Sequence, residues 1–249
     1  MSEILTRANE MQIKNREHLI DLFNKRPLPD DQLMVNMGMY IRSSVLAKIF
    51  YMNEMYEKIV NIPGVVMEFG VWWGQNMALF ESFRAMYEPY NFQRKIVGFD
   101  TFKGYPKPGV KDNKNDYAVE GSWSVTENYI NYLTHLMDYH EQENINNSHI
   151  KKYELVQGDM RLTLPEYLSS NPETIVALAF IDLGFYETTK ICLEALKPHL
   201  IKGSIVGLDE LNCHEYPGET VALKEVFGLN KYRIVRSKFL PDRSYMVIE

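Results

Sequence analysis

The chain has 249 residues, 45% hydrophobic and 24% charged, enough for one sizeable α/β domain with an appendage. A formal charge of -6 and a pI near 5.6 argue against a general nucleic-acid binder, which needs a basic stripe to neutralise phosphates, and favour a small-molecule partner. Cys192 and Cys213 cannot frame a disulfide scaffold, no apolar run reaches membrane-spanning length, and Met1-Ser2-Glu3 opens no signal peptide, so a cytoplasmic protein without membrane association is expected.

Residues 3–25 and 33–60 read as helices separated by Arg26-Pro27-Leu28-Pro29-Asp30-Asp31. In the second, Ile41, Val45, Leu46, Ile49, Phe50 and Met52 to Met55 form a broad apolar face. Residues 1–60 are expected to form a helical cap over the domain of 61–249 or against another subunit, and a homo-oligomer is compatible with that face. Ordinary core helices explain the pattern equally well.

Val65-Val66-Met67-Glu68-Phe69 is a strand bounded by Pro63-Gly64; it passes through Gly70-Val71-Trp72-Trp73-Gly74 into a helical pattern. Glu68-x-Gly70-x-x-x-Gly74 lacks the glycine spacing that cradles a pyrophosphate, which weakens a dehydrogenase reading. An acid before the first glycine suits a ligand with an ammonium group and no phosphate, such as S-adenosylmethionine, with Gly70 allowing close approach. A purely structural turn accounts for these residues about as well.

The next apolar run, Arg94 to Phe102, carries Asp100 where an acid accepts ribose hydroxyls in nucleoside-binding folds, or where it simply caps a loop. Residues 103–149 form a long polar excursion, an expected lid or insertion, helical from Thr126 to Gln142. Its Tyr117 and Trp123 either line a pocket or pin the loop. Strands follow at Tyr153–Asp159, Thr174–Asp182 and Ser204–Glu210, the last entered by a turn at Lys202-Gly203. Thr163-Leu164-Pro165 leads into a helix expected through Glu166 to Ser169, further helices are expected from Tyr186 to Leu200 and from Gly218 to Phe227, and a hairpin of Tyr232–Ser237 with Ser244–Ile248 closes the chain. This order indicates a doubly wound α/β sheet with an antiparallel edge.

Five parallel strands would then end in Glu68, Asp100, Asp159, Asp182 and Asp209-Glu210 on one sheet edge. Like charges so placed cost energy unless cations or donors offset them. An ammonium group, ribose hydroxyls and a nucleobase amino group suit Glu68, Asp100 and Asp159, leaving Asp182, Asp209 and Glu210 for a hard divalent cation such as Mg2+. Separately solvated loop acids or helix caps are the alternative.

Taken together these stretches resemble the macrocin O-methyltransferase family, metal-dependent sugar O-methyltransferases of natural-product tailoring. The resemblance runs from about Ile62 onward. It rests on Ile62-Pro63-Gly64 with Glu68-Phe69-Gly70-Val71-Trp72, on Phe99-Asp100-Thr101-Phe102-Lys103-Gly104-Tyr105-Pro106, and on Gly158 with Thr163-Leu164-Pro165. It continues in Ile181-Asp182-x-x-x-Tyr186-Glu187-x-Thr189, Leu196-Lys197-Pro198, Lys202-Gly203 and Pro217-Gly218-Glu219 with Ala222.

The resemblance implies a Rossmann-like class I methyltransferase fold, with a mostly parallel seven-stranded sheet. It implies S-adenosylmethionine around Glu68, Gly70, Val71, Trp72, Asp100, Thr101, Phe102, Gly158, Asp159 and Asp182, and Mg2+ on Asp182, Asp209 and Glu210. Two positions depart from the family: Glu210 replaces an aspartate, and Gly184 stands where the family carries its proposed general base. A sugar hydroxyl needs help to lose its proton. His214 is the replacement by residue type, unless the acceptor is already ionised. The expected function is Mg2+-assisted O-methylation of a sugar or sugar-like metabolite. The alternatives are a metal-independent N-methyl or carboxyl- or phosphate-type O-methyltransferase, or a cofactor-binding subunit without catalysis.

Overall fold

Five of the apolar runs become parallel strands: β1 (Val65–Phe69), β2 (Ile96–Asp100), β3 (Tyr153–Gln157), β4 (Val176–Ile181) and β5 (Leu200–Leu208). β4 is buried at all six residues, as a central strand covered on both faces must be. β6 (Arg233–Arg236) and β7 (Ser244–Val247) return antiparallel, giving the order β3-β2-β1-β4-β5-β7-β6. The computed structural model describes residues 8–112, 118–143, 146 and 149–249, so Tyr117 lies outside the described residues.

The order reverses between β1 and β4, where open α/β sheets form their ligand crevice. Register sets the edge of that crevice: Gly70 N donates to Phe99 O at 3.0 Å, Asp182 N to Phe69 O at 2.9 Å, and Asp209 N to Ile181 O at 3.1 Å. The residues just beyond β1, β4 and β5 therefore emerge side by side.

Helices α3 (Ser43–Ile59), α4 (Gln75–Tyr87) and α5 (Tyr129–Glu143) cover one face of the sheet. The other face carries α6 (Met160–Ser170), α7 (Tyr186–Leu196) and α8 (Pro217–Val226). α3 is welded to the sheet: Tyr51, Met52, Met55, Tyr56 and Ile59 are buried, and Tyr51 Oη donates to Ser244 O at 2.6 Å. By contrast α1 (Glu10–Asn24) buries none of its residues.

The expected boundaries shift most clearly in three places, and the helix expected to reach Leu200 ends at Leu196. The helix expected over 33–60 is interrupted: α2 (Asp30–Leu33) runs into a 3-10 segment over Met34–Tyr40, and α3 starts afresh after extended backbone at Ile41 and Arg42. Asn36 and Gly38, poor helix formers, lie in that segment. α6 begins at Met160, ahead of Thr163, because Asp159 caps it by accepting from Arg161 N at 3.0 Å; Pro165 sits inside it. Finally, β5 starts at Leu200, so Lys202-Gly203 lies within the strand and Gly203 N donates to Ile248 O at 2.7 Å.

At the amino-terminal edge of the strands two buried arginines tie the layers. Arg84 donates to the carbonyls of Arg94 (3.2 Å) and Lys152 (2.9 Å) and pairs with Glu81 and Glu141, while Lys152 Nζ reaches Glu141 Oε2 at 2.7 Å. Arg94 donates to the carbonyls of Ile59 and Ile62, each at 2.8 Å, and of Gly64, and pairs with Glu88 at 2.9 Å. Tyr56 Oη donates to the same Glu88 at 2.8 Å.

Candidate active site

A cavity of about 990 Å3 opens at the carboxyl edge, bounded by Gly70, Trp72, Asp100 and Thr101 at one side, Gly158 and Asp159 at another, and Asp182, Asp209 and Glu210 beyond. The turn after β1 explains its floor. Gly70 has φ +93, and a Cβ there would stand 2.2 Å from Asp182 O, so the backbones of the two switch-point strands touch only because the side chain is absent.

Two further turns are left-handed without glycine, at Trp72 (φ 51) and Phe102 (φ 55). Such backbone costs about 1–2 kcal/mol per residue and persists where the surroundings fix it. Here Asp100 fixes both: its Oδ2 accepts from Trp72 N at 2.7 Å and its Oδ1 from Phe102 N at 2.6 Å. Burial raises the Asp100 pKa, opposed by these backbone N–H groups. The carboxylate keeps unused lone pairs for a ligand.

Glu68 lies beneath this turn rather than in the cavity wall. It is fully buried, Oε1 accepts from Asn76 Nδ2 at 2.9 Å, and Oε2 has no partner among the described residues. Burial pushes its pKa well up, with Asn76 and then Lys48 opposing. Val71 and Phe102 bury their side chains in the core and meet the site through backbone N–H groups on Asp100. Asp159 borders the cavity, but its carboxylate is gripped by the Arg161 guanidinium, with Nη2 to Oδ2 at 2.6 Å; this bond holds its pKa below the usual range.

The excursion after β2 forms the opposite wall. Tyr105, Glu120, Gly121 and Trp123 line the cavity, and the Trp123 ring meets Trp72 edge-on at 5.4 Å. Gly184, with φ +66, faces aromatic rings: a Cβ there would stand 3.0 Å from both Tyr105 Oη and Tyr216 Cδ1. Burial and then the Asp182 charge push the pKa of the Tyr105 hydroxyl well up.

Asp182, Asp209 and Glu210 do share this cavity. Burial and then the Asp209 charge raise the pKa of both Asp182 and Glu210, so the cluster favours added positive charge. An all-carboxylate set fits a hard divalent ion in donor chemistry. As the side chains stand, however, Arg243 Nε occupies Asp209 Oδ1 at 2.6 Å, and among the described residues no three acids, histidines or cysteines converge enough to hold a metal. Behind them Glu219 is fully buried; Oε1 accepts from Glu210 N at 2.9 Å and Oε2 is unpartnered among the described residues.

His214 is not in this cavity. The loop after β5 folds back on α8, with Asn212 N donating to Thr220 Oγ1 at 2.7 Å, and His214 lines an adjoining hollow of about 800 Å3. Glu210, Tyr216 and Arg243 border both spaces. Sequence reasoning missed Lys48, Tyr105, Tyr216 and Arg243 as cavity residues; only the quoted Lys103-Gly104-Tyr105-Pro106 stretch carried any signal for one of them.

A doubly wound sheet of this order, with its cavity at the β1/β4 switch point, is the Rossmann-like fold of class I S-adenosylmethionine-dependent methyltransferases, and the chain is an enzyme of that class. The model of the macrocin O-methyltransferase (TylF) family matches residues 6–225, and the chain belongs to this family. Among solved structures, CalS11, described as a calicheamicin methyltransferase, is 36% identical over 99% of this chain and 97% of its own, with a TM-score of 0.94. An apo structure of CalS11, described as a TDP-rhamnose 3'-O-methyltransferase of calicheamicin biosynthesis, is 34% identical over 98% and 96% of the two chains, with a TM-score of 0.86. The O-methyltransferase NovP, 19% identical over 81% of this chain and 79% of its own, shares the fold at a TM-score of 0.60. Comparison with curated proteins found no match. Among the described residues no helix is long and apolar enough to cross a membrane.

Proposed function

We propose that this enzyme methylates a hydroxyl oxygen of a sugar carried on a nucleoside diphosphate. The observation that carries this reading is the end-to-end correspondence with CalS11, described as acting on TDP-rhamnose. A cavity of about 990 Å3 has room for a cofactor and part of an acceptor together.

When bound, S-adenosylmethionine supplies an electrophilic methyl group on a sulfonium, and Mg2+ supplies a Lewis acid for the acceptor oxygen. Asp100 would accept hydrogen bonds from the ribose hydroxyls while keeping its two backbone donors. Gly70 would present bare backbone to the methionine portion, and Trp72 with Trp123 would exclude water from the line of transfer. Asp182, Asp209 and Glu210 would hold the ion, with Arg243 giving up its place on Asp209. No carboxylate stands at Gly184. Glu210, Tyr216 and Arg243 separate the cavity from the hollow of His214, so a proton leaving the acceptor would reach His214 only across that boundary.

The test is to incubate the protein with S-adenosylmethionine and either TDP-rhamnose or free rhamnose, with and without a chelator, and to follow S-adenosylhomocysteine and methylated sugar by mass. Methyl transfer to the nucleotide sugar, lost with chelator and restored by Mg2+, is expected. Turnover untouched by chelator would remove the metal. Product from free rhamnose alone would remove the nucleotide-linked acceptor.

A further inference from the structure

We propose that Lys48 of α3 receives the carboxylate of the cofactor's amino-acid tail, so that the helical segment before β1 completes the cofactor site. The inference rests on the cofactor occupying the Gly70 end of the cavity.

The course of α3 places the lysine. Near its carboxyl end the helix meets the amino edge of the sheet, where Arg94 donates to Ile59 O at 2.8 Å. Earlier in the helix Tyr51 Oη donates to Ser244 O at 2.6 Å and contacts Leu208 O, the last residue of β5. α3 therefore runs from the carboxyl edge to the amino edge, and Lys48, one turn before buried Met52 on the same helix face, overhangs the carboxyl edge. There it lines the cavity together with Gly70 and Asp182.

The charge balance singles it out. Of the three cations that line the cavity, Arg243 is committed to Asp209 and Lys103 is exposed on the turn after Asp100, whereas half-buried Lys48 makes no hydrogen bond or ion pair with any described residue. Its positive charge nevertheless bears on Glu68 and Asp182, the acids on either side of Gly70. The tail of S-adenosylmethionine carries an ammonium and a carboxylate. In a cavity edged by acids the ammonium has several partners, but the carboxylate would meet repulsion unless a cation received it. Lys48 is an uncommitted cation at that end, and a lysine serves there as a point charge on a flexible stem.

The experiment compares calorimetric affinities of the intact protein, Lys48→Met and Lys48→Arg for two probes. S-adenosylhomocysteine has the amino-acid tail; 5'-methylthioadenosine has the same nucleoside and sulfur without it. Lys48→Met should weaken S-adenosylhomocysteine by roughly tenfold or more and leave methylthioadenosine within about twofold, with Lys48→Arg retaining much of the affinity. Equal weakening of both probes, or no weakening of either, would overturn the proposal while leaving the cofactor site in place. Failure of the unaltered protein to bind either probe would instead overturn the placement of the cofactor itself, and the proposal with it.

Discussion

The two edges of the sheet handle buried charge in opposite ways. At the amino edge Arg84 and Arg94 have no more than 1% of their surface exposed, yet their guanidinium groups meet Glu81, Glu141 and Glu88 and five backbone carbonyls between them. At the carboxyl edge Asp182, Asp209, Glu210, Glu219 and Glu68 lie close together, and among the described residues Arg243 is the one cation ion-paired to any of these five. A buried ion that is paired secures the fold, because removing one partner strands the other, although Arg84 Nε and Glu81 Oε1 have no partner among the described residues. A buried acid left short of donors costs stability and is kept where a ligand completes it. The acids of this chain teach little by their number; what separates scaffold from site is whether the protein supplies their partners.

The comparison can be broken most forcefully at Arg94. Arg94→Met would strand Glu88 and the carbonyls of Ile59, Ile62 and Gly64, and should cost about 3–5 kcal/mol in urea unfolding. A loss below 1 kcal/mol would mean that the amino edge is not secured by its ions. Next, Asp182→Asn should lower turnover by about 10²-fold while leaving the melting temperature unchanged or higher, since it relieves repulsion from Asp209. A sharp fall in stability would place Asp182 among the scaffold groups.

Gly184→Ala should be intermediate, at about 1–2 kcal/mol, because the new Cβ meets left-handed backbone and the rings of Tyr105 and Tyr216 at once. Wild-type stability in this variant would show that the aromatic wall yields freely. The smallest effect at neutral pH belongs to Glu81→Gln. Burial, only partly opposed by Arg84, raises the Glu81 pKa to about 9, so this acid keeps its proton at pH 7 and the amide should cost less than about 1 kcal/mol there. A raised folded-state pKa means that the stabilisation is full below the ordinary value of 4.5 and lost as pH rises through about 9. The wild type should therefore lose melting temperature progressively between about pH 5 and 9, and Glu81→Gln should lose less.

Much of the carboxyl edge is legible in the sequence because each strand is a local apolar run and its terminal acid follows directly, as in Thr174 to Asp182. β5 is harder to bound: Lys202 and Gly203 interrupt its apolar pattern, and only the pairing of Leu200 with Val176 of β4 and of Gly203 with the distant Ile248 shows that the strand begins at Leu200. The interruption of the 33–60 helix was equally hidden, since Met34, Val35, Met37 and Met39 look apolar but stay exposed. Long-range pairings carry no local signature at all. Arg84 meets Glu141 from 57 positions away and Tyr51 meets Ser244 from 193, so neither the amino-edge network nor the orientation that delivers Lys48 to the cavity could be read from spacing. His214 is the reverse case, a residue near the acids in sequence that lies in the neighbouring hollow because its loop folds back.

The chain contains three tryptophans, and all of them gather at the cavity: Trp72 and Trp123 in its wall, and Trp73 beside them with its ring 5.9 Å from Trp72 and 4.7 Å from Tyr129. The hydrophobic core, filled by phenylalanine, leucine, methionine and tyrosine, holds none. Intrinsic fluorescence excited at the red edge is consequently a built-in optical reporter of the ligand rim alone. Cofactor titrations can be followed without a label, and a fluorescence melt will time the loosening of the Trp72–Trp123 contact, whereas far-ultraviolet dichroism times the sheet.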